Sequence, residues 1–418
     1  MRKITLISLL ALTIFSVVTF ILTEKGYIVS WGLIGIYVFL ATISFVVILV
    51  LLFLALLNKT TNLELEVGVV MKKTLFVFLG ALAMILIQAL ISDQFQISPS
   101  TSNLHDIERV EINGTSQYIV TRGNDESNPV LLFLAGGPGG SQVQTAREFF
   151  PELEDEFTIV TWEQPGSGMS YSAYPIKSLT PQQYVDDGHE LTLYLKEKFN
   201  KDKIYILGQS WGSYLAIELA KQHPEEYHAI FSAGQMVDFL ETEKFCYHKA
   251  LEIAKSKNDE QQIRALENLG EPPYYGSNIS IEMGTYLIYL HQYMMTNPNI
   301  NHVNFDTFKS MFSPEYSVID AVNFLKALYF TFAQVYQQLY QTDLRETHTE
   351  IDVPVYIFHG KHDYNAPLYL AEEYYNLLDA PKKELIIFER SGHEPFKEEA
   401  ERFQSEVIRI YKELNLDN

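Results

Sequence analysis

The sequence predicts an α/β fold: a mostly parallel sheet flanked by helices, carrying an inserted helical cap and preceded by three transmembrane helices. Three observations lead there. Apolar runs without internal charge occupy Ile4–Leu22, Trp31–Leu57 and Thr74–Ser92. Beyond them, short apolar strand-like runs alternate with helix-like ones. A helix-rich stretch of about a hundred residues then interrupts the alternation before it resumes.

Each N-terminal run can cross a hydrocarbon core, which needs about 20 residues. A cleaved signal peptide is the alternative for the first. Its apolar stretch exceeds the usual length of about 7–15 residues and no small-residue cleavage pattern follows, so a retained helix is expected. Arg2 and Lys3 precede the first run, Lys25 lies in the first loop, and Lys59, Lys72 and Lys73 lie in the second. No Lys or Arg follows the third run until Arg109. The positive-inside rule puts the N-terminus and second loop in the cytoplasm and everything after Ser92 outside. Residues 1–92 are thus expected as a multi-pass membrane region, and the polar residues 93–105 as a tether.

Of the 31 basic and 52 acidic residues, six and three precede residue 93, leaving 25 and 49 in the remainder. An excess of 24 negative charges argues against nucleic acid and against an anionic membrane surface as partners. The single cysteine, Cys246, excludes an intramolecular disulfide framework and any cysteine-based zinc site.

Asn113-Gly114, between Ile107–Ile112 and Gln117–Thr121, predicts a hairpin. Pro129–Ala135, Phe157–Trp162, Lys203–Leu207 and Tyr227–Ser232 are continuous apolar runs of the parallel-sheet kind, separated by helical stretches such as Pro181–Phe199 and Trp211–His223. Asp238–Asn258, Gln261–Leu269, Ile281–Thr296 and Val318–Tyr340 then read as helices. Strands return at Val353–Phe358 and Glu384–Phe388, and Pro395–Leu414 closes the chain as a helix. The expected core therefore comprises residues 106–236 and 348–418, with a cap at 237–347 that returns directly into a strand.

Ser210 sits in Gly208-Gln209-Ser210-Trp211-Gly212, between a buried-type strand and an amphipathic helix. That context predicts a tight turn holding the hydroxyl above the sheet, with glycines two positions to either side allowing strand and helix to approach. A serine nucleophile needs a base, and the base needs an orienting group. His393 follows the strand Glu384–Phe388, and Asp363 follows the strand ending at His359, so both fall at the carboxyl edge of a parallel sheet, as Ser210 does. Asp238, after the strand that follows Ser210, is the competing acid. Gly136-Gly-Pro-Gly-Gly140 follows the first inner strand, so the Gly137 and Trp211 amides are the expected oxyanion donors. The triplet His359, His362 and Asp363 lacks the helical spacing of a metal site, and neither metal nor cofactor is expected.

Gly-Gly-Pro-Gly after the first inner strand, Glu163-Gln-Pro-Gly-Ser-Gly168 after the next, Gly-Gln-Ser-Trp-Gly-Ser213 and the late Asp and Gly-His resemble the proline iminopeptidase branch of the α/β-hydrolases, over roughly Asp106–Leu416. The resemblance implies Ser210, Asp363 and His393 as the triad, with Gly137 and Trp211 forming the oxyanion hole. It also implies cap glutamates that hold a substrate's free amine; Glu315 and Glu282 are the candidates, with Glu241 and Glu243 behind them. Two departures stand out. Ala135 occupies a place where the family usually has His, and Glu163 one where it commonly has Asp.

The reading is a membrane-anchored serine hydrolase facing outward that releases N-terminal proline or similar residues from short peptides. An esterase acting on small acyl substrates is the alternative, and a hydrolase-fold ligand sensor is a third.

Overall fold

Asn113 and Gly114 take left-handed backbone, φ 47° and 75°, and fold strand β1 (Leu104–Ile112) back on β2 (Thr115–Gly123). Such a turn matches the twist of an antiparallel pair. The computed structural model describes residues 103–303, 310, 311 and 313–416; the three apolar runs lie outside them. Strand β1 begins inside the stretch expected as tether.

Among the described residues, β3 (Val130–Leu134), β4 (Thr158–Glu163), β5 (Ile204–Gln209), β6 (Tyr227–Ala233), β7 (Val355–Gly360) and β8 (Lys383–Phe388) complete one sheet in the order β1-β2-β4-β3-β5-β6-β7-β8. β1 and β2 pair antiparallel, β2 pairs antiparallel with β4, and the rest are parallel. Both faces are covered, so β3, β4, β5 and β7 are buried at every position and predominantly apolar. In β3, Val130, Leu132 and Leu134 face one core while Leu131 and Phe133 face the other, as the two-residue strand period requires.

Helices α1 (Val143–Phe149), α2 (Pro181–Phe199) and α3 (Trp211–Gln222) connect the first strands. Thr180 caps α2 by accepting from Gln183 N, with Pro181 at the first helical position. Among the described residues, the insertion between β6 and β7 contains α4 (Phe239–Ser256), α5 (Glu260–Leu269), α6 (Ile279–Met295) and α7 (Val318–Lys326), which runs through a π-helical turn at Ala327–Thr331 into α8 (Phe332–Tyr336). Tyrosines of these helices serve hydrogen bonding as well as packing. Tyr286 of α6 and Tyr336 of α8 both donate to the buried Glu243 carboxylate of α4.

The insertion closes at a narrow stem. Phe239 N donates to Thr342 O (3.3 Å) and Leu344 N to Val237 O (3.0 Å). The Arg345 guanidinium then joins Asp238 (3.2 Å) and Glu241 (2.7 Å) at the entry to Asp343 (2.9 Å) at the exit. Beyond the stem come α9 (Leu368–Leu377) and α10 (Ala400–Leu416).

Some expected boundaries change. The helix expected to reach Tyr340 ends at Tyr336, where the turn tightens so that Leu339 N bonds Tyr336 O (3.0 Å). The closing helix breaks at Glu399, whose carboxylate accepts from Arg390 N (2.8 Å) and Ser391 Oγ (2.9 Å) and is drawn toward the preceding loop. Helices α1 and α9 add to those expected.

On the sheet face opposite the cap, Phe403 of α10 lies 4.9 Å from the Phe358 ring, 5.9 Å from Phe396, 6.0 Å from Phe388 and 6.2 Å from Phe150. Phe403→Ala would leave a cavity at the meeting point of four rings and cost about 3–5 kcal/mol. Urea denaturation of the full chain in detergent measures it, and a loss below about 1 kcal/mol would contradict this packing.

Candidate active site

Ser210 joins β5 to α3 with φ 53° and ψ −119°, a conformation that costs a non-glycine residue of order 1–3 kcal/mol. Its neighbours leave it no alternative. A Cβ on Gly208 would come within 2.2 Å of Gly212 O, and one on Gly212 within 2.1 Å of Leu134 O. Strand, helix and the end of β3 are therefore in backbone contact. Ser210 N donates to Ala233 O (2.9 Å). Ser213 Oγ donates to Ser210 O (2.5 Å) and accepts from Met236 N (3.0 Å), fastening the turn to the exit of β6.

The glycine loop after β3 lies against this turn. A Cβ on Gly136 would stand 3.3 Å from Ser210 Cβ, and Gly137 and Gly139 adopt φ 145° and 86°. Trp211 opens α3, so its amide N–H has no acceptor within the helix and is free to meet an anion. Two glutamine bridges hold loop and turn in register. Gln164 accepts from Trp211 Nε1 (3.0 Å) and donates to Ala135 O (3.1 Å), while Gln142 donates to Gln209 Oε1 (2.9 Å).

Asp363 and His393 come from the loops after β7 and β8. A Cβ on Gly360 would lie 1.8 Å from Gly392 O, so these loops touch through glycine backbone. His393 Nδ1 bonds Asp363 Oδ2 at 2.8 Å; the other Asp363 oxygen accepts from Asn365 N (2.8 Å) and Ala366 N (2.9 Å). The His393 ring rests on Gly234, where a Cβ would be 3.1 Å from its Cε1 and Nδ1. Gly234 follows Ala233, whose carbonyl receives the Ser210 N–H. Imidazole and serine thus share one short stretch of the β6 exit.

Burial alone would raise the pKa of Asp363 and lower that of His393. Their mutual attraction outweighs it: the imidazole holds the carboxyl below its ordinary range, and the carboxylate holds the imidazole above its own. The pair can therefore accept and keep a proton. His359, the neighbouring histidine, is buried, has a lowered pKa for that reason, and bonds Ala366 O through Nε2 (2.7 Å). Among the described residues no three His, Cys, Asp or Glu side chains converge as metal ligands would.

The competing acid is elsewhere. Asp238 caps α4, accepting from Glu241 N (2.8 Å), and pairs with Arg345 at the stem. The cap carboxylates are also engaged. Glu315 is fully buried, pairs with Arg147 (3.2 Å), faces His105 (3.5 Å) and accepts from Ser313. A guanidinium thus already occupies the side where a substrate ammonium was expected. Glu241 belongs to the Arg345 cluster, Glu243 is held by two tyrosines, and Glu282 is half-buried in the first turn of α6.

Other acidic groups stand closer to His393 than the sequence suggested. Glu394 and Glu398, with His291, Met294 and Ile300, line a small cavity of about 40 Å³ against it. Burial pushes the Glu398 pKa up to about 8, the Glu394 charge adds to the shift, and its carboxylate accepts from Gly392 N (2.8 Å). Burial also opposes ionisation of Glu394, but Lys397 at 2.6 Å holds its pKa below the ordinary value. Adjacency to His393 was the available signal for Glu394. Glu163, at the end of β4, is buried and accepts from Ser141, from Tyr316 OH (2.7 Å) and from Met169 N (3.0 Å). Burial still raises its pKa to about 7. It ties the glycine loop to the cap, a role nothing in the sequence announces.

Residues 129–255 match the model of the alpha/beta hydrolase fold family. The chain is similar to "Probable aminopeptidase YbaC" of Bacillus subtilis (strain 168), 32% identical over 316 residues that span 74% of this chain and 98% of that protein. It is similar to the "Probable proline iminopeptidase" of Leptolyngbya boryana, 31% identical over 117 residues, 28% of this chain and 34% of the relative. Among solved structures, the proline iminopeptidase of Mycobacterium smegmatis superposes with a TM-score of 0.53 at 17% identity, covering 75% of this chain and 99% of that one. That last likeness concerns the fold.

For His393 to take a proton from Ser210 its ring must be neutral. Since Asp363 holds its pKa above the ordinary imidazole value, reactivity should fall as the medium is acidified through a midpoint above that value. Fluorophosphonate labelling of the full chain, followed from about pH 5 to 8, measures this. Asp363→Asn should slow labelling by about 10³–10⁴-fold and move the midpoint to lower pH, because burial then acts on the imidazole alone. A pH-independent rate would exclude His393 as the base.

Proposed function

The chain belongs to the alpha/beta hydrolase family, and we propose that it is a membrane-anchored serine aminopeptidase releasing N-terminal residues, proline preferred, from short peptides outside the cytoplasm. The observation that carries the chemistry is the His393–Asp363 pair resting on Gly234 beside the strained Ser210. What favours a peptidase is similarity along nearly the whole length of a protein named as an aminopeptidase.

In this mechanism Ser210 Oγ attacks the scissile carbonyl carbon while His393 takes the hydroxyl proton and Asp363 stabilises the resulting imidazolium. The Gly137 and Trp211 amides receive the developing oxyanion. His393 returns the proton to the departing amine, leaving an acyl-serine. Water, deprotonated by the same imidazole, then releases the N-terminal residue and restores Ser210.

A substrate ammonium entering a closed site needs a carboxylate partner to offset its desolvation. With Glu315 paired to Arg147, the Glu394 and Glu398 wall beside His393 is the better candidate. An arriving cation would favour the ionised form of Glu398, whose pKa is otherwise pushed up to about 8.

The test compares proline-β-naphthylamide, its N-acetylated form and a short-chain nitrophenyl ester on the detergent-solubilised full chain, with Ser210→Ala as control. The proposal expects turnover of the first, loss of turnover on N-acetylation, and silence of the variant. Ester turnover without amine-dependent peptidase turnover would establish the esterase alternative. Specific binding without Ser210-dependent turnover would establish a sensor.

Glu398→Gln keeps an acceptor for Gly392 N–H but removes the charge. It should raise KM for the free-amine substrate by roughly tenfold, about 1.4 kcal/mol, and change ester turnover by less than about twofold. Equal effects on both substrates would remove Glu398 from amine recognition.

A further inference from the structure

The cap presents an apolar face that the catalytic chemistry does not use. On α6, Ile281 and Ile288 lie seven residues apart and so share one side of the helix; they are 62% and 60% exposed. On the adjoining helix, Val322, Leu325 and Phe330 are exposed, the last by 52%. The two rows meet at a seam, because Ser280 Oγ donates to Tyr329 O (2.7 Å), and each of these residues directly precedes a member of the patch. Val318–Tyr336 is long and apolar enough to cross a membrane, yet only a third of it is buried in the fold. An exposed apolar face of this kind marks an interaction site.

Charge is scarce here although the chain is strongly acidic. Across residues 279–295 and 318–336 the charged residues are Glu282, Asp320 and Lys326. Few negative charges on these two helices therefore oppose the approach of a bilayer to this face.

The path of the chain indicates the occupant. The third apolar run ends at Ser92, and the 11 residues before Leu104 reach about 40 Å at most when fully extended. The tether enters the fold at the start of β1, where His105 Nε2 lies 3.5 Å from Glu315. Glu315 stands three residues ahead of the helix that begins at Val318. The described chain thus begins with His105 against Glu315, close in sequence to that apolar helix.

We infer that the outer face of α6 and of the helix from Val318 to Tyr336 docks into the lipid bilayer surface, with Ile288 and Phe330 among the inserted side chains. The inference rests on the reading of the N-terminal runs as membrane-spanning. Once that anchor confines the enzyme to within a tether's length of the bilayer, burial of these side chains to a depth of about 5–10 Å gives the cap a fixed, lipid-facing side.

The test uses the full chain in phosphatidylcholine vesicles with Ile288→Cys, Phe330→Cys or, on the opposite sheet face, Ser405→Cys, labelled with a nitrobenzoxadiazole fluorophore. Cys246 is buried and is not expected to take label. Fluorophosphonate labelling of Ser210 verifies that each variant is folded. Doxyl-labelled phosphatidylcholine should quench positions 288 and 330 roughly twofold or more and leave position 405 unchanged. Absence of quenching at 288 and 330 overturns the inference. So does shielding from aqueous iodide without lipid quenching, which would mean that one of the chain's own apolar runs covers the face. Pyrene excimers at position 288 without lipid quenching would mean a second copy covers it, and would also overturn it. An alkaline carbonate wash reads the anchor separately: protein retained but unquenched is anchored without docking, and protein quenched but washed off is docked without an anchor.

Discussion

Close backbone contact across Gly208, Gly212 and Leu134 is the constraint on which the rest of the site depends. It brings β5, α3 and the end of β3 together so tightly that the residue between strand and helix is forced into left-handed backbone. Local strain at Ser210 is tolerated because three elements share it through hydrogen bonds: the serine amide to Ala233, the Ser213 hydroxyl to the serine carbonyl, and Met236 back to Ser213. The helix amide that could face an oxyanion, the glycine loop beside it and the β6 exit under His393 are all positioned relative to that one turn. A methyl group at either glycine would disturb them together.

A second layer of order comes from buried polar groups that link loops with little regular structure. Gln164 spans the indole of Trp211 and the carbonyl of Ala135, and Glu163 gathers Ser141, Met169 and Tyr316. Such groups are costly to bury unless satisfied, and once satisfied they select a single arrangement. Glu243 plays the same part inside the cap, where two tyrosines accompany a carboxyl whose pKa burial raises to about 7.

The strands and Ser210 were legible because their causes are local. A strand covered on both faces is predominantly apolar, and a serine turn of this shape needs small residues at fixed offsets; both leave marks within a few positions. Asp363 and His393 could be placed at one sheet edge because parallel strands share a direction. The cap acids could not be ranked, since what separates Glu315 from a substrate-facing group is Arg147, 168 positions earlier in the chain. Glu394 adjoins His393 but carries no motif, and Glu398 is brought beside it by the short helical turn Pro395–Glu398, which breaks at Glu399. The π-turn at Ala327–Thr331 has no hydrophobic signature either, and it meets the glycine loops directly: Thr331 Oγ1 donates to Gly166 O (2.7 Å).

The stem at Val237–Phe239 and Thr342–Arg345 has a bearing on how such proteins diversify. The chain leaves the sheet and returns to it at adjacent points, bound by two backbone hydrogen bonds and one guanidinium. Closing a long excursion across such a junction becomes only slightly harder as it lengthens, by about 0.6 kcal/mol for each doubling. The roughly hundred residues between these points can therefore be lengthened, trimmed or replaced over evolutionary time at small thermodynamic cost to the sheet that carries the reactive groups. Selectivity can drift here while the bond-breaking apparatus stays still, making the cap a separately heritable part of the molecule.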